Sequence, residues 1–256
     1  MPDYREVAEA AVRAAGAALL DWRGRFHVRQ KGPCDPVTEA DLAAQEAAWA
    51  VLSKAFPSHD LLSEESPHDR LADERFRWIL DPLDGTQNYV HGLPLYTVSL
   101  ALERAGKLLV GCVYNPVSDE CFLAESGGAA TLNGLPIRCS GVEQIGSALV
   151  AISLPPLISR ESPELQQLIE VSTRAQAIRR LGSSALNLAL VAAGRLDAFF
   201  ATETHIWDIA GGVALVEAAG GTVIDPSGGP VDLKKPRVVA ASTAALARQL
   251  ASLLQG

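Results

Sequence analysis

Residues 75–94 read RFRWILDPLDGTQNYVHGLP, a strand-like run that ends in charge. Trp78, Ile79 and Leu80 suit a sheet interior, yet they lead straight into Asp81 and Asp84. Two carboxylates at one strand end repel each other unless something offsets their charge. The residues around them belong to a rigid turn. Pro82 stiffens the backbone between the aspartates, and Gly85 permits a positive φ and a close backbone approach. The amides of Gly85 and Thr86 can then point at an anion, as in a backbone nest. Asn88 is expected to tie the turn by hydrogen bonds to main chain.

The same plan recurs upstream and downstream. DLLSEES (60–66) begins as a strand and finishes in Glu64 and Glu65. Asp41 falls in the first turn of a helix over 38–55, with Thr38 as its cap and Pro57 at its end. Asp208 follows Trp207 at the start of another helix. Taken singly, Asp41, Glu65 and Asp208 read as caps or turn residues, Lys31 as a solvated charge and Trp207 as core. Taken together, they imply strand ends and helix starts that share one acidic cavity. Such a cluster costs several kcal/mol, or shifts its pKa values upward, unless a cation compensates it. Oxygen ligands favour a hard divalent ion, Mg²⁺, with Mn²⁺ as a substitute.

The rest of the chain frames this cluster. Residues 4–22 form an Ala-rich amphipathic helix rather than a signal peptide. Residues 95–116 read as a hairpin around RAGK, and short strands with an Asn-Gly turn follow. Beyond residue 146 the rhythm changes to strands alternating with helices over 162–174, 183–194, 208–221 and 244–254. The expected class is α+β, as one domain of two lobes, about 1–145 and about 146–256. The net charge is −8 with no basic stripe, which argues against a nucleic-acid partner. No run reaches about 18 apolar residues, so no membrane span is expected. Four cysteines without CxxC spacing read as reduced thiols in a cytoplasmic protein.

The stretch 78–94, WILDPLDGTQNYVHGLP, resembles the signature of the inositol monophosphatase family of magnesium-dependent, lithium-sensitive phosphatases. WDIAGGVALVEAAGG (207–221) is similar to its second motif, and DPVTEAD (35–41) and SEES (63–66) to two smaller ones. The resemblance spans nearly the whole chain and implies a layered α-β-α-β-α sandwich, usually a homodimer. It implies that Glu64, Asp81 and the Leu83 carbonyl hold one Mg²⁺, and that Asp81, Asp84 and Asp208 hold a second. Glu64 would share a third, weaker ion. Asp41 and Thr86 would pair near the attacking water and, with Glu64, orient it for in-line attack; Gly85 and Thr86 would offer amides to the phosphate, and Lys31 would sit on a loop covering the site. Ser184 stands where a small residue lines the substrate pocket.

This chain departs from the pattern at several positions. Ser63 stands where Gly is common, Tyr89 for Phe, and Gln87 where Thr or Lys is frequent. Ala201 stands where inositol phosphatases often carry a polyol-contacting Glu, and Glu203 is out of register. The expected substrate is a small phosphorylated alcohol, inositol monophosphate first. Histidinol phosphate, a sugar bisphosphate or a phosphoadenosine nucleotide are the alternatives. A regulatory protein acting on transcription complexes is the alternative from another class.

Overall fold

The computed structural model describes residues 2–32, 35–66 and 75–255, without the side chains at 30, 31, 35 and 36. In chain order the elements are α1 (Tyr4–Trp22), β1 (Val28–Gly32), β2 (Asp35–Thr38), α2 (Glu39–Ala55), β3 (Asp60–Ser63), β4 (Phe76–Asp84) and α3 (Thr86–Val90). Then come β5 (Thr97–Arg104), β6 (Lys107–Asn115), β7 (Glu120–Glu125), β8 (Thr131–Leu132) and β9 (Leu135–Pro136). The second half holds β10 (Leu149–Ser153), α4 (Pro163–Ser172), β11 (Ala177–Arg179), α5 (Ser184–Ala192), β12 (Ala198–Ala201), α6 (Ile206–Ala218), β13 (Thr222–Ile224), β14 (Val238–Ala241) and α7 (Ala244–Leu253). The β1–β2 hairpin and the short helix α3 are additions to the sequence reading, which had no element between the first two helices and a turn at α3.

The layers follow from alternation along the strands. A seven-stranded sheet runs in the order β3-β4-β5-β6-β7-β8-β9, parallel only between β3 and β4. Trp78 and Leu80 of β4, with Leu100 and Leu102 of β5, face the alanine stripes of α1 and α2. Those stripes (Ala8, Ala11, Ala15; Ala40, Ala44, Ala48) let the two helices approach closely while burying their common face. The opposite parity, Ile79 and Ala101 with Leu62 of β3, packs on Ile206 and Ala210 of α6. Helices α5 and α6 also cover a five-stranded sheet, β11-β10-β12-β14-β13. Its far face packs on Leu246 and Leu250 of α7 and Val171 of α4. The result is the expected α-β-α-β-α sandwich.

Glycines set how closely α6 lies on the large sheet. A side chain at Gly111 of β6 would put its Cβ 2.4 Å from the Gly211 carbonyl oxygen and 2.7 Å from Ala214 Cβ. One at Gly211 would come within 2.9 Å of Ser99 Oγ. Asp208 lies three residues before Gly211, on the same helix face, so this contact carries its carboxylate toward the sheet. Gly111→Ala is expected to cost about 1–3 kcal/mol, as overpacking typically does. It should also lower turnover by about 10²-fold, because a displacement of about 1 Å at a catalytic group has that effect. Calorimetric melting beside a phosphate-release assay reads both.

Candidate active site

The β4 register explains the opening aspartates. Residues three apart on a regular strand point to opposite faces. Here Asp81 pairs with Ser99 and Asp84 with Thr97, so three steps on β4 oppose two on β5. The extra residue makes a bulge at Pro82-Leu83, where Pro82 has no N–H to give a ladder. Ser99 and Thr97 share one face of β5, so the bulge turns both aspartates toward the α5–α6 layer. The parallel pairing of Ser63 with Leu80 sets Glu64 beside Asp81, and the Glu64 N–H donates to the Leu80 carbonyl at 3.2 Å.

Each aspartate has one oxygen fixed by protein donors. Asp81 Oδ1 accepts from the Leu83 N–H at 2.9 Å. Asp84 Oδ2 accepts from the Ser183 hydroxyl at 2.7 Å and the Ala185 N–H at 2.6 Å. Asp208 Oδ2 accepts from the Thr204 hydroxyl at 2.7 Å and the His205 N–H at 2.8 Å. Asp41 Oδ2, in the first turn of α2, accepts from the Thr38 N–H at 2.8 Å and the Thr38 hydroxyl at 2.7 Å. In Asp81, Asp84 and Asp208 the second oxygen takes no part in these bonds, and the carboxylate plane is already set.

The charges crowd. Burial first, and then Glu64, Asp84 and Asp208, push the Asp81 carboxyl well above the usual carboxylate range. The Asp84 carboxyl is pushed up to about 7, by desolvation first and Asp208 next, against the lowering effect of its Ser183 and Ala185 bonds. His205, stacked on Trp207 at 4.7 Å between ring centroids, is raised by its hydrogen bond to Asp208. Among the described residues, no three His, Cys, Asp or Glu side chains are already drawn into a metal cage. The carboxylates are electrostatic neighbours that their own hydrogen bonds hold individually. An all-oxygen, net-negative donor set of this kind matches the chemistry of a hard divalent cation.

The remaining expected residues fall around this centre. Gly85 has φ +102° and forms the N-terminal cap of α3, where a Cβ would sit 3.0 Å from the Leu95 carbonyl oxygen. The Thr86 hydroxyl donates to the Leu83 carbonyl at 3.1 Å and lies 3.5 Å from Asp41 Oδ1. The latter distance is longer than a good O–H···O bond, so Asp41 and Thr86 are neighbours rather than a tight pair. The Leu83 carbonyl keeps a second lone pair. Ser184 is largely buried, and its hydroxyl pairs with Ser153 Oγ at 2.9 Å. Ala201 is fully buried opposite Ser153 in the sheet, while Glu203 is exposed. The Lys31 backbone belongs to β1, but its side chain lies outside the described residues, as does Cys34. A cavity of about 420 Å³ lies between the β1–β2 hairpin and the end of β3, lined by Arg29, Thr38, Glu39, Leu42, Glu64 and Glu65.

Sequence reasoning set Ser183 beside the substrate pocket through the resemblance of RRLGSSALN (179–187) to the family's segment, but missed its bond to Asp84, and it missed Thr97 and Thr204. Ser183 caps α5 by accepting from the Leu186 N–H at 3.1 Å while it donates to Asp84. Its place before an apolar helical run was the available signal. Thr97 and Thr204 carried none.

The family model described as "Inositol monophosphatase family" matches residues 2–256. The chain belongs to the inositol monophosphatase family. This is a family of phosphoric monoester hydrolases. An inositol-1-monophosphatase of Mesorhizobium japonicum is 41% identical over 235 residues, covering 91% of this chain and 88% of that protein. A Nus factor SuhB of Pseudomonas aeruginosa is 37% identical over 251 residues, covering 95% and 93%. The crystal structure of the extragenic suppressor protein suhB of Bartonella henselae superposes with a TM-score of 0.92 at 38% identity, covering 98% of this chain and 97% of that one. The mixed helix–sheet sandwich is therefore the family fold.

Proposed function

We propose that this inositol monophosphatase family member is a Mg²⁺-dependent hydrolase of a small phosphorylated alcohol, with inositol monophosphate the first candidate. The observation that carries the reading is the Asp81 carboxylate, buried on the α6 face with Glu64, Asp84 and Asp208 all close enough to disfavour its charge. Glu64, Asp81, the Leu83 carbonyl, Asp84 and Asp208 would hold the cations. When bound, these supply Lewis acidity and a water of lowered pKa.

The chain's own residues do the rest. The bonds from Leu83, Ser183, Ala185, Thr204 and His205 keep the aspartates oriented before substrate arrives, which limits reorganisation during reaction. Gly85 and Thr86 open α3 with N–H groups that lack intrahelical partners and can meet phosphate oxygens. Thr86, fixed to the Leu83 carbonyl, stands between that turn and Asp41 and is placed to hold the attacking water. The water oxygen forms the new P–O bond as the ester P–O bond breaks. The attacking water gives up its proton on the Asp41–Thr86 side, and that proton, returned through solvent water, converts the departing alkoxide to the free alcohol. Ser184 and Ser153 would present hydroxyls to that alcohol, and Lys31 would lie over the site.

Phosphate release over a panel of inositol, histidinol, sugar and nucleotide phosphates tests the reading. Inositol monophosphate should be hydrolysed with Mg²⁺ and inhibited by millimolar Li⁺. No release from any ester would overturn it.

Homodimerisation and a cytoplasmic location belong to the same proposal. Among the described residues no helix is long and apolar enough to cross a membrane. The relatives named Nus factor SuhB support a second reading, an additional role on transcription complexes. Copurification with RNA polymerase beside negligible turnover would favour it.

A further inference from the structure

We propose that Asn88 is a positioning residue, which sets Asp84 by clamping the 181–185 segment onto the loop that follows β4. The inference rests on the cation reading above. Asn88 Nδ2 donates at 2.7 Å to the Leu95 carbonyl and at 2.7 Å to the Leu181 carbonyl, so both amide hydrogens are committed. Leu95 leads into β5 of the large sheet, and Leu181 leads into α5. One side chain therefore ties the α3 turn both to the nearby start of β5 and to the segment before α5, far away in sequence.

Two glycines make room for it. Gly182 has φ +82°, and a Cβ there would stand 2.8 Å from Asn88 Nδ2. At Gly85 a Cβ would stand 3.3 Å from the Gly182 carbonyl oxygen. Any side chain at either position pushes on the junction that Asn88 closes.

Beyond the junction, a fully used hydroxyl reaches Asp84. Ser183 has one hydrogen and two lone pairs. It donates to Asp84 Oδ2, accepts from the Leu186 N–H, and meets Thr97 Oγ1 at 3.3 Å. With its hydrogen committed to Asp84, Ser183 can only accept from Thr97. The Ala185 N–H adds a second bond to the same Asp84 oxygen. Asp84 is thus oriented by a segment that belongs to α5, not to its own strand, and Asn88 fixes where that segment lies. Hydrogen bonds of this outer kind typically change metal affinity by about 10–100-fold when lost.

The test is Mn²⁺ binding to the purified full chain by calorimetry and by the Mn²⁺ electron paramagnetic resonance signal, alongside kcat and KM. Asn88→Ala should weaken Mn²⁺ binding by about 10-fold and lower kcat more than it raises KM. Asn88→Asp, which turns an acceptor onto two carbonyls, should lose at least as much. Ser183→Ala should weaken binding similarly. The Asn88→Ala/Ser183→Ala double variant should lose no more than about twofold beyond Ser183→Ala, because both act through Asp84. Asn88→Ser, milder for folding, should fall between wild type and Asn88→Ala. Wild-type affinity in folded Asn88→Ala or Asn88→Ser, or losses that multiply in the double variant, would overturn the clamp alone. A wild-type protein that binds no Mn²⁺ overturns the cation reading and the clamp with it.

Discussion

Asp81→Asn is expected to lose at least about 10³-fold in kcat while the metal-free protein becomes more stable, not less. The two halves of this result have one cause. Asp81 sits buried among Glu64, Asp84 and Asp208, and its charged form is opposed by burial and by all three. Asparagine keeps an oxygen for the Leu83 N–H and removes the charge. The relieved repulsion should raise the melting temperature of the metal-free protein. The same charge is what would attract the cations, and removing an electrostatic group that acts in the transition state typically costs about 10²–10³ or more in kcat. Turnover with Mg²⁺ and thermal melting in EDTA, measured on one preparation, separate the effects. Near-normal turnover would sink the assignment of Asp81 as a ligand. A destabilised metal-free variant would show that Asp81 is instead a structural carboxylate.

The second large effect is metal removal, and its pH dependence has a definite sign. Chelation should abolish turnover, and added Mg²⁺ should restore it. In the metal-free protein the Asp84 carboxyl titrates near 7 in the folded state and near 3.8 when unfolded. Between these values the native state binds more protons than the unfolded one. The associated stability is therefore present at low pH and is lost as pH rises through about 7. Allowing for solvent screening of a partly exposed group, the loss is on the order of 2 kcal/mol, or about 4–8 °C in Tm for a chain of this size. Mg²⁺ should flatten the profile by binding the deprotonated native state. Melting of stripped protein from pH 5 to pH 8, with and without Mg²⁺, checks it. A Tm that climbs with pH in EDTA would contradict the crowding, and Asp84→Asn should remove much of the slope.

The elements were legible because their local signals are strong and mutually consistent. Thr38 before an Ala-rich run with Asp41 three residues on, Pro163 opening α4, and the RAGK turn between two β-rich runs each needed only a short window. The carboxylates were legible as candidates because an apolar strand that ends in acid is chemically odd. The supporting shell was not legible. Thr97, Ser183 and Thr204 are unremarkable hydroxyl residues in sequence, and they matter through bonds to Asp84 and Asp208 made after folding. The Asp41–Thr86 relation was readable as proximity, but its 3.5 Å separation was not.

By itself the amino-acid sequence determined the order of the longer strands and helices, the family, and which acids end apolar runs. The first and last of these reside in hydrophobic period, capping and turn chemistry, which act over a few residues, while the family showed only through motifs that resemble its own at 78–94 and 207–221. Only the tertiary structure decided that Asp81 and Asp84 share a face, since three residues on a regular strand would separate them and the Pro82–Leu83 bulge against β5 does not. It alone decided that Asp208 meets them, through the room left at Gly111 and Gly211, and that Asn88 binds Leu181. Register and close approach are set by partners far away in the chain, and no local window contains both sides of such a contact.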